Sequence, residues 1–556
     1  MSEKNILTID NINPRLLKKS FAVRGPLDLR ACEIWSLLKS NNEKSGSENP
    51  PKFKFNETII ATLGDGHALG MKPITFIRQI MALCTYPGLL DDHFIKWCKI
   101  FPPDVIRRVE TLLDEFPGGC IGSYSPSPGY ELVRKNIARF IDRRDNLNDS
   151  NVIDCSTYGI TTNGCSSVNQ SYNGKKSSGK FPECDWKTVF VSSGATDAIK
   201  NFLALFIQAS NDDQRPNEFF KSGIMTPIPQ YPIYSIIIAE YDMLELNYYL
   251  NEKTGWGINI PELQELYQRA LEQNCQPRVL IIINPGNPTG QILSLDDMIK
   301  ILRFVHEHKL FLLCDEVYQH NDYYDTDDVG WRSFRRVLYE ETPDISDEVE
   351  MASLYSISKG YAGECGIRGG YIQFTNVSAD ILDVFLQMAL SHLCPTTLGQ
   401  VALDCVVNPP IPGEPSFVTY AQEKDSILNA LNLKAKLINS RLAKGVVEGI
   451  EMNPIQGAMY AFPKIFLPYK FILHAKKINK KADFLFAEML LEEKGLALLP
   501  GSGFGCNKHG DTWREKSYPF HFRITILPEI SKLERFLNIL IEFYQDLRIT
   551  WETTNR

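Results

Sequence analysis

The chain reads as an α/β protein of two domains, a large one built on a mostly parallel, doubly wound sheet and a smaller α/β domain beside it. Three observations predict this. From residue 187 to about 320, apolar runs of strand length alternate with amphipathic stretches of helical length, the pattern of a parallel sheet covered on both faces. Small-residue and proline–glycine turns (SSGAT, NPGNPTG) follow the apolar runs, so polar residues gather at one set of strand ends. After Pro415 the rhythm changes to long helices flanking shorter strands, and 556 residues are too many for one compact core.

In chain order, residues 1–55 read as an arm with one helix, 27–39, carried by Leu29, Ile34, Leu37 and Leu38. A polar linker over 41–51 ends in Pro-Pro. Residues 56–115 are assigned to the N-terminal part of the small domain. They hold a strand at 58–63, the glycine turn GDGHALG from Gly64 to Gly70, and helices at 74–83 and 104–116. The turn lacks the dinucleotide fingerprint, because the third glycine is misplaced and no helix follows directly. The large domain is assigned 116–415. It opens with the loop 118–130, which carries Tyr124, and a helix at 131–144. Residues 146–185 are rich in Ser, Asn and Gly, which predicts a flexible surface insertion. Then follow a strand at 188–191, a helix at 197–207, and short strands at 223–226 and 244–250 around PIPQYPIY. A buried strand at 279–283 leads into NPGNPTG, a helix spans 293–309, and a strand at 311–314 ends in DEVY. A strand end at 354–357 leads into SISKGYAGECGIRGG. The small domain resumes over 416–556, after the proline-rich NPPIPGEP. Its expected helices are 426–442 and 481–494, and its strands 457–462, 497–500 and 521–527.

The formal net charge of −8 argues against a nucleic-acid or anionic-membrane partner. No apolar run is long enough to cross a bilayer. The first residues, MSEKNILTID, lack a signal-peptide core and are not Arg-rich, so a cytoplasmic location is expected. The thirteen cysteines form no Cys-x-x-Cys pair and are odd in number, which predicts reduced thiols and no metal centre.

The chemistry centres on Lys359, a lone lysine at a strand end among hydroxyl and glycine residues. Burial lowers a lysine's pKa, and an uncharged amine attacks a carbonyl. Ser356, Ser358 and Arg368 nearby suit a phosphate, so the stretch suggests a lysine for pyridoxal 5'-phosphate (PLP). That cofactor needs a carboxylate at its pyridine nitrogen, and Asp315, at the end of FLLCD, is placed for it. Tyr318 and Asn287 are candidates to hydrogen-bond the ring's phenolic oxygen, and Tyr231 to stack on the ring. The strand–turn–helix at SSGAT offers free N–H groups to an anion. Arg523, inside the apolar FHFRITIL, needs an anionic partner, and a substrate carboxylate is one. Ser356-x-x-Lys359 also matches the serine–lysine pair of β-lactamases and penicillin-binding proteins. There, however, KTG follows the pair, whereas here Lys253–Gly255 precedes it.

The sequence resembles the alanine aminotransferases, of the PLP-dependent transferase fold type I. The segments that carry the resemblance are NPRLLKKSFAVRGPL, LGDGHALGMKPITFIRQIMALC, GSYSPSPGYELVRKNIARFIDRRD, VSSGATDAI, TPIPQYPIYS, NPGNPTGQ, LCDEVYQ, SISKGYAGECGIRGGY and FHFRITILP. The resemblance implies reversible transfer of the amino group of L-alanine to 2-oxoglutarate, by a ping-pong scheme on PLP. It implies that Lys359 bonds the cofactor and shuttles the proton. Asp315 would pair with the pyridine nitrogen, Asn287 and Tyr318 hold the ring oxygen, and Tyr231 stack on the ring. Ala195, Thr196, Ser356, Ser358 and Arg368 would bind the phosphate. Tyr124 would reach the phosphate of a neighbouring subunit across a homodimer. Arg523 would grip the substrate α-carboxylate, with Gly64 near the substrate. Glutamate–glyoxylate transamination within the same subgroup is the nearest alternative. A non-catalytic regulator of this fold is a further one, although the N-terminal residues are too few for a DNA-binding module.

Overall fold

The computed structural model describes residues 25–43, 53–91, 99–145, 181–207, 221–324, 330–506 and 517–553. Residues 1–24 of the expected arm, most of the linker, and 146–180 of the expected insertion lie outside these.

A short strand β1 (Ile59–Ile60) precedes the large sheet. That sheet comprises β2 (Val189–Ser192), β3 (Lys221–Ile228), β4 (Leu244–Tyr249), β5 (Cys275–Ile283), β6 (Phe311–Asp315), β7 (Met351–Ser356) and β8 (Gly370–Thr375). The strand order is β2-β8-β7-β6-β5-β3-β4. Neighbours from β7 to β4 are parallel, and β8 runs antiparallel to both β7 and β2. The alternation along the second half of β5 shows why residues 279–283 are an unbroken apolar run. Val279, Ile281 and Ile283 face one core with the helices Ala195–Ala204, Ile233–Glu240 and Ala379–Ser391. Leu280 and Ile282 face another, with Ile260–Glu272, Leu295–Glu307 and Phe334–Glu341. Both faces are covered there, so every position from 279 to 283 is apolar.

The smaller unit holds β9 (Ile450–Glu451), β10 (Tyr460–Ala461), β11 (Lys464–Pro468), β12 (Leu496–Ala497), β13 (Leu499–Pro500) and β14 (Ser517–Thr525). β14 lies between β10 and β11, antiparallel to both, and β13 also pairs with it; β1 pairs with β12 in parallel. The helix Pro26–Glu43 joins this core through Leu27, Ala31 and Ile34. Residues 56–115 divide between the two units. Ile59 and Ala61 sit in the small core, but the helices Thr75–Thr85 and Pro103–Glu115 pack with Tyr355 and Tyr371 of the large sheet and with the helix Thr397–Val407. Their apolar faces find a partner there that the sequence does not name.

Residues 181–185, expected in the flexible insertion, are tied down. Arg335 donates to the Pro182 carbonyl at 2.6 Å and pairs with Asp145 at 3.2 Å. Its guanidinium lies 4.9 Å from the Phe181 ring, and the Cys184 amide donates to Asp142 at 2.9 Å. The end of the helix Glu131–Asp145 is thus held against residues 181–184.

Candidate active site

Carboxyl ends of the parallel strands supply most of the site. β6 ends on Asp315, which is buried. Its Oδ2 accepts from the Tyr234 hydroxyl at 2.6 Å and its Oδ1 from the Val317 amide at 3.3 Å. Burial pushes the Asp315 carboxyl above its ordinary range; Tyr234, Val317 and the Lys359 charge oppose this. β7 ends at Ser356, and Lys359 follows in the turn. The Lys359 Nζ donates to the Gly64 carbonyl at 2.6 Å.

The amine departs from the expectation of a neutral group. Burial lowers its pKa, but Tyr460, Cys365 and Tyr231 outweigh burial and turn the shift upward. The Tyr460 phenol is the counterpart. Burial raises it, yet Lys359 and Arg523 beside it bring it below its ordinary value. Amine and phenol stabilise each other's charged forms.

Arg523, on β14, is 1% exposed. Its Nη1 donates to Asn287 Oδ1 at 3.0 Å and its Nη2 to the Thr62 carbonyl at 2.6 Å. The guanidinium lies 4.2 Å from the Tyr460 ring centroid and 4.9 Å from that of Phe504. Its Nε is buried with no hydrogen-bond partner among the described residues. Asn287 turns its amide nitrogen to the Tyr318 hydroxyl at 3.4 Å, and that hydroxyl donates to Tyr460 at 3.2 Å. Tyr231 packs against the Trp256–Phe462–Phe504 cluster.

The anion cradle lies at the start of the helix Ala195–Ala204. Gly194 precedes it at φ +86°, and a Cβ there would stand 2.5 Å from Arg368 Nη2. Only glycine lets the arginine approach the helix N-terminus this closely. Arg368, at φ +65°, donates to the carbonyls of Cys365 at 2.8 Å and Ser193 at 3.3 Å. Ser356 Oγ meets Ser358 Oγ at 2.9 Å. Ala195 and Thr196 open the helix, so their N–H groups belong to its unpaired first turn.

Lys359, Asp315, Asn287, Tyr318, Arg523 and Gly64 therefore form one connected cluster, with Tyr231 near it. Ser356, Ser358, Arg368, Ala195 and Thr196 form the adjoining cradle. Tyr124 stands apart, 72% exposed on its loop. Sequence reasoning missed Tyr234, Tyr460 and Cys365. Tyr234 lies in PIYSIIIAE and Tyr460 in GAMYAFP, where each reads as an ordinary core aromatic.

The donor set fits PLP. A helix N-terminus, two hydroxyls and an arginine suit a phosphate dianion. A buried carboxyl, fixed by Tyr234 with lone pairs to spare, suits a protonated ring nitrogen. The unpaired Arg523 Nε marks unused donor capacity for an anion. Gly64 matters by what it lacks, since a Cβ there would overlap the Tyr460 hydroxyl and come 2.8 Å from Lys359 Nζ.

Comparison with known proteins agrees. Residues 176–540 match the family model described as aminotransferase class I and II. The chain is 41% identical to the zebrafish (Danio rerio) protein named alanine aminotransferase 2-like, over 97% of this chain and 86% of that one. It is 38% identical to human (Homo sapiens) alanine aminotransferase 1, over 97% and 95%. The solved structure titled alanine aminotransferase from Pyrococcus furiosus superposes with a TM-score of 0.63 at 18% identity, covering 96% of this chain and all of that one, a likeness of fold. With full-length relatives above 35% identity, the chain belongs to the alanine aminotransferase family, within the class I and II aminotransferases.

Proposed function

We propose that the chain is a PLP-dependent alanine aminotransferase, reversibly passing the amino group of L-alanine to 2-oxoglutarate to give pyruvate and L-glutamate. The observation that carries this is the convergence of Lys359, Asp315 and Arg523 on one buried cluster. When bound, the cofactor would supply an aldehyde to hold the amino group and a ring to accept electrons from the substrate Cα–H bond.

Each residue has a part that its surroundings support. Arg523 binds and orients the substrate carboxylate; Asn287 and the Thr62 carbonyl fix its plane. Asp315 keeps the pyridine nitrogen protonated, and Tyr234 keeps Asp315 in place. Lys359 would move the proton of the substrate Cα, acting as base once its amine is uncharged and then as acid. Asn287 and Tyr318 hold the ring oxygen, Tyr231 covers the ring face, and the Arg368–Ser356–Ser358 cradle with Ala195 and Thr196 holds the phosphate. The chain works as a homodimer in which the exposed Tyr124 serves the partner's phosphate. The described cysteines are free thiols, as suits a reducing compartment, and the cytoplasm is the one proposed. A Dictyostelium discoideum relative is named a probable mitochondrial alanine aminotransferase, so cell fractionation is the check.

Purified protein with L-alanine and 2-oxoglutarate should form pyruvate. Lys359→Ala should abolish turnover, and normal turnover in that variant would refute the assignment. Glyoxylate as a markedly better acceptor than 2-oxoglutarate would move the chain to the glutamate–glyoxylate reaction.

A further inference from the structure

Three of the segments that carry the resemblance, the GDGHALG turn, the ITFIRQ helix and the GECG loop, meet through one ion pair. Arg78, on the helix Thr75–Thr85, donates Nη2 to Glu364 Oε2 at 2.9 Å and to His67 Nδ1 at 3.3 Å. His67 Nε2 lies 3.1 Å from the Ala362 carbonyl. A carbonyl only accepts, so Nε2 carries the proton and Nδ1 is the acceptor facing Arg78. Gly363 sits at the crossing with φ +61°, and a Cβ there would come 2.8 Å from Met71 Sδ and 3.3 Å from the His67 ring. Glycine is what lets the two loops touch.

The Glu364 side chain is 2% exposed, and its Oε1 has no hydrogen-bond partner among the described residues. A half-satisfied buried carboxylate costs stability, which calls for a compensating role. The backbone shows what this one holds. The Glu364 amide donates to the Ile357 carbonyl at 2.9 Å and the Gly363 amide to that of Lys359 at 3.3 Å, so Glu364 and Lys359 share one closed loop. On the other side, His67 stands three residues after Gly64, whose carbonyl takes the Lys359 Nζ hydrogen bond.

We propose that the Arg78–Glu364 pair, with His67 between the loops, is a positioning device for Lys359. It clamps the Gly64–Met71 turn onto the lysine loop and so sets the Gly64 carbonyl against the reactive amine. The inference rests on the aminotransferase reading for its significance, but its test needs no cofactor. The full-length chain, freed of cofactor, is acylated with trace acetic anhydride across pH, and labelling at Lys359 is read by mass spectrometry. A carbonyl acceptor favours the ammonium form, so losing it makes the amine reactive at lower pH. In Arg78→Met and in Glu364→Gln the half-reactive pH should fall by about one unit, the scale of a hydrogen bond to a charged group. The double variant should fall no further than the larger single one, because the residues act as a unit. Arg78→Lys, which keeps the ion pair, should retain most of the wild-type profile. Wild-type profiles in variants with native circular dichroism, or shifts that add in the double variant, would overturn the proposal. The Arg78 side chain is 39% exposed, so Arg78→Met leaves the core filled and carries the test if Glu364→Gln does not fold. Failure of the aminotransferase reading would show elsewhere, as a wild-type chain that forms no pyruvate.

Discussion

Tyr234 shows how a single hydroxyl sets the chemistry of a neighbouring acid. It donates to Asp315 at 2.6 Å inside a buried site, where burial alone would favour the protonated carboxyl. Removing that hydrogen bond takes away about 1.5–3 kcal/mol of support for the carboxylate. Tyr234→Phe should therefore weaken PLP binding by about tenfold or more, by absorbance titration, with the melting temperature little changed; unaltered affinity would sink this reading. Asp315 and Lys359 were legible in the sequence because one ends an apolar strand and the other follows one by three residues, each a residue type that a strand interior rarely holds. Tyr234 was not, since its partner lies 81 positions away and nothing in PIYSIIIAE marks it as polar in use. The upward pull on Lys359 was likewise not legible. Burial is local and visible, but the phenols of Tyr460 and Tyr231 arrive from two other segments, and the Cys365 thiol folds back from six residues along the same loop.

Among elements, the glycine turn after β1 does the work of a wall. Gly64→Ala should place a methyl group on the Tyr460 hydroxyl and against Lys359 Nζ, displacing both. The expected result is a loss of turnover of about a hundredfold or more with native circular dichroism, the scale on which small misplacements reduce rate. Turnover near wild type would show that the turn yields. β5 and β6 were readable as buried strands from continuous apolar runs bounded by turns. The helix Thr397–Val407 was not, because every residue from Gly399 to Val407 is buried and an all-round buried helix has no polar face to set its period. In the helix Ile530–Thr553, by contrast, Leu533, Phe536, Leu537, Leu540, Tyr544 and Leu547 repeat at helical spacing, so there the signal is present in the sequence. β8 is antiparallel in an otherwise parallel sheet, and direction is set by the loop geometry around Lys359, which composition does not encode.

For the whole molecule, buried acids set how stability responds to pH. Burial raises Glu316 from 4.5 to about 7, against the pull of Arg144. The folded state thus keeps this proton where the unfolded chain has released it. The stabilising contribution is complete below 4.5 and is lost as pH rises through about 7, a change of about 3 kcal/mol. His320, lowered to about 3 by burial, works in the opposite sense, so the test is a difference between proteins. Glu316→Gln should lose less stability than wild type between about pH 5 and about pH 8 in chemical denaturation; parallel curves would show that Glu316 titrates normally. At this scale the doubly wound sheet was legible from alternation alone. The sharing of residues 56–115 between the two units was not, because an amphipathic helix announces that it has a buried face and says nothing about which core receives it.

One guanidinium, that of Arg335, holds the Asp145 carboxylate on one side and the Pro182 carbonyl on the other. Residues 145 and 182 are thus held within one side chain's reach of each other, and a short connection between them costs little loop entropy. Replacing 146–180 with a few glycines and serines should leave melting temperature and turnover intact, and the same spot should accept a grafted reporter domain.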